Sequence, residues 1–120
     1  MILLFEISFY EKENGKIPVK DFLLDLELKM RAKALKEIEI LQTFGSELRE
    51  PHVKYMQDGI FELRIKSANN ISRIFYFFFT KEKIILTNGF IKKTQKTPKK
   101  EIEKAIEYKI DYVRRNENEI

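Results

Sequence analysis

The chain contains no cysteine, a single histidine, only four glycines and only three prolines. Without thiols it forms no disulfide, offers no thiolate nucleophile and holds no cysteine-ligated zinc, and a reducing compartment suits it. One histidine without clustered aspartates and glutamates gives no metal site of recognisable spacing, and no cofactor is implied. Carboxylate pairs such as Glu37 and Glu39 do not converge on an evident pocket in the sequence. Walker-type glycine loops, the G-x-S-x-G elbow and the dinucleotide fingerprint are all missing. Glycine and proline are too scarce for a long linker or a repetitive chain. No apolar run approaches the roughly 18 residues of a membrane helix, and FYFFF at 75–79 is far too brief. The opening MILLFEISFY carries Glu6 and has neither a basic leader nor a small-residue cleavage site, so it is expected to be a first strand rather than a signal peptide.

What is present fits one folded domain over residues 1–120, the size of a single ordinary core. Hydrophobic residues make up 43% and charged residues 35%, which excludes a disordered tail. Ten phenylalanines and five tyrosines supply enough large side chains for a compact interior. The net charge of +4 is only a mild pointer to an acidic partner; its distribution says more. In the first half, lysines and arginines alternate with acids, whereas Lys92, Lys93, Lys96, Lys99 and Lys100 form a block with no acid until Glu101.

Periodicity sets the expected order. Leu3, Phe5, Ile7 and Phe9 alternate with polar residues as a strand, and ENGK makes the turn after it. Val19, Phe22, Leu23, Leu26 and Met30 repeat at helical spacing just past Pro18. A second helix through Leu35, Ile38 and Leu41 stops near Gly45, and the two suit a helical hairpin. Val53 and Tyr55, then Phe61, Leu63 and Ile65, flank an Asp58, Gly59 turn. Strands from Ile71 and from Lys83 follow, the first expected to be the most buried. Thr97 is placed to cap a last helix with Pro98 in its first turn and Ile102, Ala105, Ile106, Ile110 and Val113 as its stripe. The predicted class is α+β: an antiparallel-rich sheet with an N-terminal helical hairpin and a C-terminal helix, the helices lying mainly against one face.

Register then gathers the charges. If Lys66 lies opposite Ile71, Arg64 lies opposite Arg73 on one face, where like charges cost stability unless something else uses them. If Thr80 lies opposite Lys83, Arg73 faces Phe90 and Ile71 faces Lys92. Glu62, Arg64, Lys66, Arg73, Phe90 and Lys92 would share that face, with Phe75 and Phe77 at its apolar end. Cations beside rings such as Phe90 or Tyr76 suit single-stranded RNA, with phosphates on Lys and Arg and a base on the ring. An arginine at the phosphate would also stabilise the charge that builds up in RNA cleavage. The bland alternatives are a solvated lysine loop, structural ion pairs of Arg64 and Arg73 with Glu62 or with helix carboxylates, and a loop or capping role for His52.

The segment FELRIKSANNISRIFYFFFTKEKIILTNGFIKKTQKTPKKEIEKA, with ELR, RIFYFF and GFIKKTQKTP in that order, resembles the phage-derived, HigB-like branch of the RelE/ParE toxins. The likeness extends back through the helical hairpin to the first strand. It implies a RelE-like fold and the toxin of a type II toxin–antitoxin system: a cytoplasmic endoribonuclease that cuts messenger RNA on the ribosome without a metal. A cognate antitoxin of the helix-turn-helix, HigA-like kind is the implied partner, and the free toxin is expected to be monomeric and away from membranes. By motif, Arg73, Arg64, Lys92 and His52 are the catalytic candidates, with Lys54, Lys93 and Lys96 for RNA binding; the register argument adds Lys66 and Phe90 to the RNA-binding set. The chain departs from RelE where that toxin supplies arginine and tyrosine and this one offers lysines; Tyr108 lies too far inside the last helix for that role. Two rivals are a gyrase-inhibiting ParE-like toxin and an RNA-binding module that does not cleave.

Overall fold

The structure is a computed structural model describing residues 4–94 and 96–119. Leu3, expected in the first strand, lies outside the described residues. The elements run β1 (Glu6–Phe9), α1 (Pro18–Asp25), α2 (Leu28–Phe44), β2 (Val53–Gln57), β3 (Ile60–Ser67), β4 (Asn70–Phe78), β5 (Lys83–Ile91) and α3 (Lys99–Arg115). They form the expected α+β arrangement, compatible with a RelE-like fold. One five-stranded sheet has the order β1-β5-β4-β3-β2, with β1 parallel to β5 and the other pairs antiparallel.

The first two helices differ from their predicted limits. Pro18 begins α1 as expected, but the chain breaks at Leu26, so Met30 belongs to α2. Arg31 secures the break: its guanidinium donates to the carbonyls of Leu23 at 2.8 Å, Leu24 at 2.7 Å and Leu26 at 3.0 Å. These are the carbonyls a helix end leaves without partners, and a cation there also meets the negative end of the helix dipole.

The helices cover both faces of the sheet, not mainly one. On one side α1 and α2 bury Val19, Leu23, Met30, Ala34 and Leu41 against Leu63, Ile65, Ile74, Tyr76, Ile84 and Leu86. On the other, α3 brings Ile102, Ala105, Ile106 and Val113 against Phe75, Phe77, Ile85 and Phe90. The cause is in β4 and β5, which are apolar at successive rather than alternate positions. Strands of that kind need cover on both faces. Strand β4 is closed to solvent from Ser72 to Phe77, but β5 is equally buried, from Ile84 to Asn88 and again at Phe90, so the two central strands share the place expected for β4 alone. Leu35 and Ile110, assigned to the helix stripes, lie instead on exposed flanks at 50% and 62% exposure.

Two turns follow from local chemistry. Asp58 and Gly59 both have positive φ, 51° and 79°, as a two-residue hairpin turn requires, and the Gly59 N–H donates to the Tyr55 hydroxyl at 3.0 Å. The β3–β4 hairpin turns over Ala68 and Asn69, with Lys66 opposite Ile71 and Arg64 opposite Arg73 as expected. The β4–β5 turn is different. Phe79, not Thr80, lies opposite Lys83, its N–H donating to that carbonyl at 2.8 Å. Halfway along, Thr87 and Asn88 together face Phe75, a bulge that adds one residue to β5 and restores the expected pairing of Arg73 with Phe90.

Gly45 ends α2 with φ 47° and ψ −119°, a region costly to any residue with a side chain. A Cβ at that position would also collide with the ring of Phe5. Gly45→Ala is therefore expected to destabilise the fold by about 1–3 kcal/mol, read as a melting temperature several degrees lower; an unchanged melting curve would refute this account of the α2 terminus.

Candidate nucleic-acid interface

The sheet presents its basic half because α3 covers only the apolar half. Cross-strand pairing brings Lys54 opposite Glu62, Arg64 opposite Arg73 and Arg73 opposite Phe90. Lys92 follows β5, its N–H bonded to the carbonyl of Ile71 at 2.8 Å. The chain then reaches α3 through Lys96 and Thr97. Here Thr97 does not cap the helix: the N-cap is Pro98, with no side-chain cap bond. Its hydroxyl instead donates to Glu62 Oε2 at 2.7 Å. A competing carboxylate acceptor, buried beneath the loop, explains the lost cap.

The start of α3 is also tied to the bulge. Asn88 Nδ2 donates to both the carbonyl and Oε2 of Glu101, each at 3.2 Å, while the Thr87 hydroxyl donates to the Phe75 carbonyl at 3.2 Å. The bulged strand thus directs Asn88 at the first turn of the helix. Between that turn and β2 lies an open cleft of about 350 Å³, lined by Lys54, Glu62, Arg64, Lys92, Lys96 and Thr97 among others.

Glu62 organises the charges of the cleft. It is 1% exposed, and its Oε1 lies 3.2 Å from Arg73 Nε and 3.7 Å from Arg64 Nε. Arg64 also reaches Glu50 at 3.6 Å. Arg64 Nε is too far from the carboxylate for a hydrogen bond and Arg73 Nε, though closer, forms none, so both buried Nε atoms lack a hydrogen-bond partner among the described residues. Arg73 does donate from Nη1 to the Ser72 carbonyl at 3.1 Å. Burial lowers the pKa of Arg73, and Arg64 adds to this while Glu62 opposes it. Burial also lowers the pKa of Lys92; Arg73, Arg64 and Lys54 push in the same direction, against Glu62. The cleft therefore holds more positive charge than its one buried acid offsets.

A second cavity of about 430 Å³ opens between α2 and the end of the β3–β4 hairpin, lined by Lys33, Glu37, His52, Arg64, Lys66 and Arg73 among others. His52 Nδ1 lies 3.2 Å from Glu37 Oε2. Glu37, which the sequence tied to no pocket, thus lines one. Arg64 lines both concavities.

Residues 21–109 match the family described as Phage derived protein Gp49-like (DUF891). The chain belongs to this family. The Gp49-like family is one of RelE/HigB-type toxins. No curated protein matches the chain significantly. The matched span runs from within α1 into α3 and includes every residue named in the two concavities.

Within this Gp49-like chain the sequence-predicted residues separate into groups. Lys54, Arg64, Lys92 and Lys96 share the cleft, while His52, Lys66 and Arg73 line the second cavity with Arg64. Lys93 is exposed and lines neither. Phe90 is only 8% exposed and packs on Phe75 with ring centroids 5.5 Å apart, and Tyr76 is 1% exposed within the opposite core, so neither ring is free to stack on a base. Tyr108 stacks on Tyr10 at 4.7 Å, away from the cleft. Thr97 and Asn88 were missed as site-forming residues. Thr97 was legible only as a helix cap, and no local signal marks the bulge that aims Asn88.

Burial changes what Arg73 does when removed. It is 7% exposed rather than facing an open site, and its loss leaves the Glu62 carboxylate buried with less compensation. Arg73→Ala is expected to cost about 3–5 kcal/mol in denaturant unfolding, with Glu62→Gln in the same chain recovering much of it. A single mutant as stable as the parent would refute the pairing. Lys92→Met should act in the opposite sense. The depressed pKa means the folded state disfavours the Lys92 ammonium, a penalty present below the folded pKa and relieved as pH rises through it. Removing that charge is expected to leave stability at neutral pH unchanged or raised, and a clear fall in melting temperature would contradict it.

Proposed function

We propose that the chain is the toxin of a type II toxin–antitoxin pair and acts as an endoribonuclease that cuts messenger RNA. The observation that carries this reading is the convergence of Lys54, Arg64, Lys92 and Lys96 on one open cleft with a single buried acid among them. Membership of the Gp49-like toxin family agrees with it. Such a cleft suits a phosphodiester, and its lack of a free aromatic platform makes phosphate contact the main source of affinity.

In the proposed reaction the 2′-oxygen of one ribose attacks the adjacent phosphorus while the bond from phosphorus to the 5′-oxygen breaks. The products are a cyclic 2′,3′-phosphate and a free 5′-hydroxyl. Arg64, the more open of the two guanidiniums at 28% side-chain exposure, is assigned to the phosphorane oxygens, where negative charge grows. Glu62, itself paired with Arg73 and bonded by Thr97, holds it in place. Lys92, whose pKa is lowered chiefly by burial, is assigned to accept the proton of the 2′-hydroxyl, and the leaving 5′-oxygen takes its proton from solvent. A cognate antitoxin would silence the site by covering or deforming this face.

The direct test maps 5′ ends on a defined messenger RNA, naked and on programmed ribosomes, for the parent chain and Arg64→Gln. New ends that disappear in the variant are expected. A folded parent that makes none in either setting would refute the nuclease and leave RNA binding or gyrase poisoning to be assayed. A second measurement addresses Lys92. Lys54→Gln removes a positive neighbour, stabilises the Lys92 ammonium and raises its pKa. The rise of the single-turnover cleavage rate with pH, measured at saturating protein, should therefore move to higher pH; no movement, or movement downward, would remove Lys92 from proton transfer.

A further inference from the structure

We propose that the cavity between α2 and the β3–β4 hairpin is a second RNA subsite, which takes the nucleotide next to the one held in the cleft. The inference rests on the RNA reading above and extends it to a length and a path of substrate. The cavity, at about 430 Å³, is at least as roomy as the cleft at about 350 Å³, and the two share Arg64 as a wall. An anion on one side of that guanidinium is adjacent to an anion on the other, as consecutive phosphates of a single strand are.

The wall chemistry is that of a nucleotide site. Lys33 from α2 and Lys66 from β3 are exposed, and neither is engaged in a salt bridge among the described residues. With Arg64 they supply the phosphate contacts. The one acid of the lining, Glu37, is engaged by His52 at 3.2 Å, which tempers its repulsion of a phosphate. Pro51 and Ile71 add apolar surface against which a base or sugar can lie. Lys33 lies on a helix that the basic block of residues 92–100 gives no reason to include. The strand therefore crosses the open end of the sheet, from the start of α3 past Arg64 to α2.

Salt dependence reads phosphate contacts one at a time. For single strands, the slope of log K against log salt concentration changes by about 0.7 for each phosphate neutralised. The experiment measures binding of the full chain to 2′-O-methyl RNA oligomers, which lack the attacking hydroxyl and are not cut, for the parent, Lys33→Gln, Lys66→Gln and the double variant. The expected result is a weaker complex and a slope smaller by roughly 0.7 when the contact made by these lysines is lost, with the loss absent for an oligomer too short to reach the second cavity. Circular dichroism confirms that these exposed substitutions leave the fold unchanged. If the slopes match the parent while Lys54→Gln or Lys96→Gln lowers it, the second subsite is overturned and the cleft stands. If the parent does not bind the oligomers at all, both are overturned. Salt-sensitive binding that depends on Lys33 and Lys66 supports the subsite even if no RNA is ever cut.

Discussion

A buried carboxylate between two guanidiniums is the constraint on which the site depends. Register forces Arg64 and Arg73 onto neighbouring strands at directly opposed positions, an arrangement that repels and is normally avoided across a ladder. Glu62, on the same face, meets both and is held from its other oxygen by Thr97. The same group thus offsets the repulsion and fastens the lysine-bearing segment to the sheet. Burying an ion pair yields little net stability, because desolvation consumes most of the attraction. What it provides here is position: Arg64 is held at the junction of two concavities.

The second constraint is the uneven cover of the sheet. Apolar residues on both faces of β4 and β5 require helices on both sides, and α3 meets that requirement over Phe75, Phe77 and Phe90. It begins beside Glu62 and extends away from the cations, so the basic half stays open. The bulge at Thr87 and Asn88 links these facts. One extra residue corrects the register set by the β4–β5 turn, and the Asn88 side chain anchors the first turn of α3. Bulges commonly re-aim side chains beside functional sites in this way. Without the added residue, Phe90 and Arg73 would no longer be partners and the face would change composition.

Much of this was legible in the linear chain. The alternation in β3, the Asp58, Gly59 turn and the short β3–β4 turn were enough to place Arg64 against Arg73. The pairing of Arg73 with Phe90 was also anticipated, but from a β4–β5 turn that is off by one residue and a bulge that was not foreseen. The two errors cancel at the open end of the hairpin. The consecutive apolar positions of β4 and β5 call for cover on both faces, but that this cover closes over the rings of Phe90 and Tyr76 was not legible, because strand pattern alone does not say where a covering helix ends. Nor was the meeting of Glu37 with His52, whose positions are brought together by the packing of α2 against β3.

The sequence by itself determined the α+β class, the order of elements, the two tight turns and the gathering of positive charge, since each follows from short-range periodicity, backbone preference or composition. Tertiary structure alone decided which cations share a cavity, which arginine is open, and that Thr97 serves Glu62 rather than its own helix. Those outcomes depend on desolvation and on contacts between residues distant in the chain. A carboxylate becomes the acceptor that Thr97 prefers only once the sheet and α3 have closed over it.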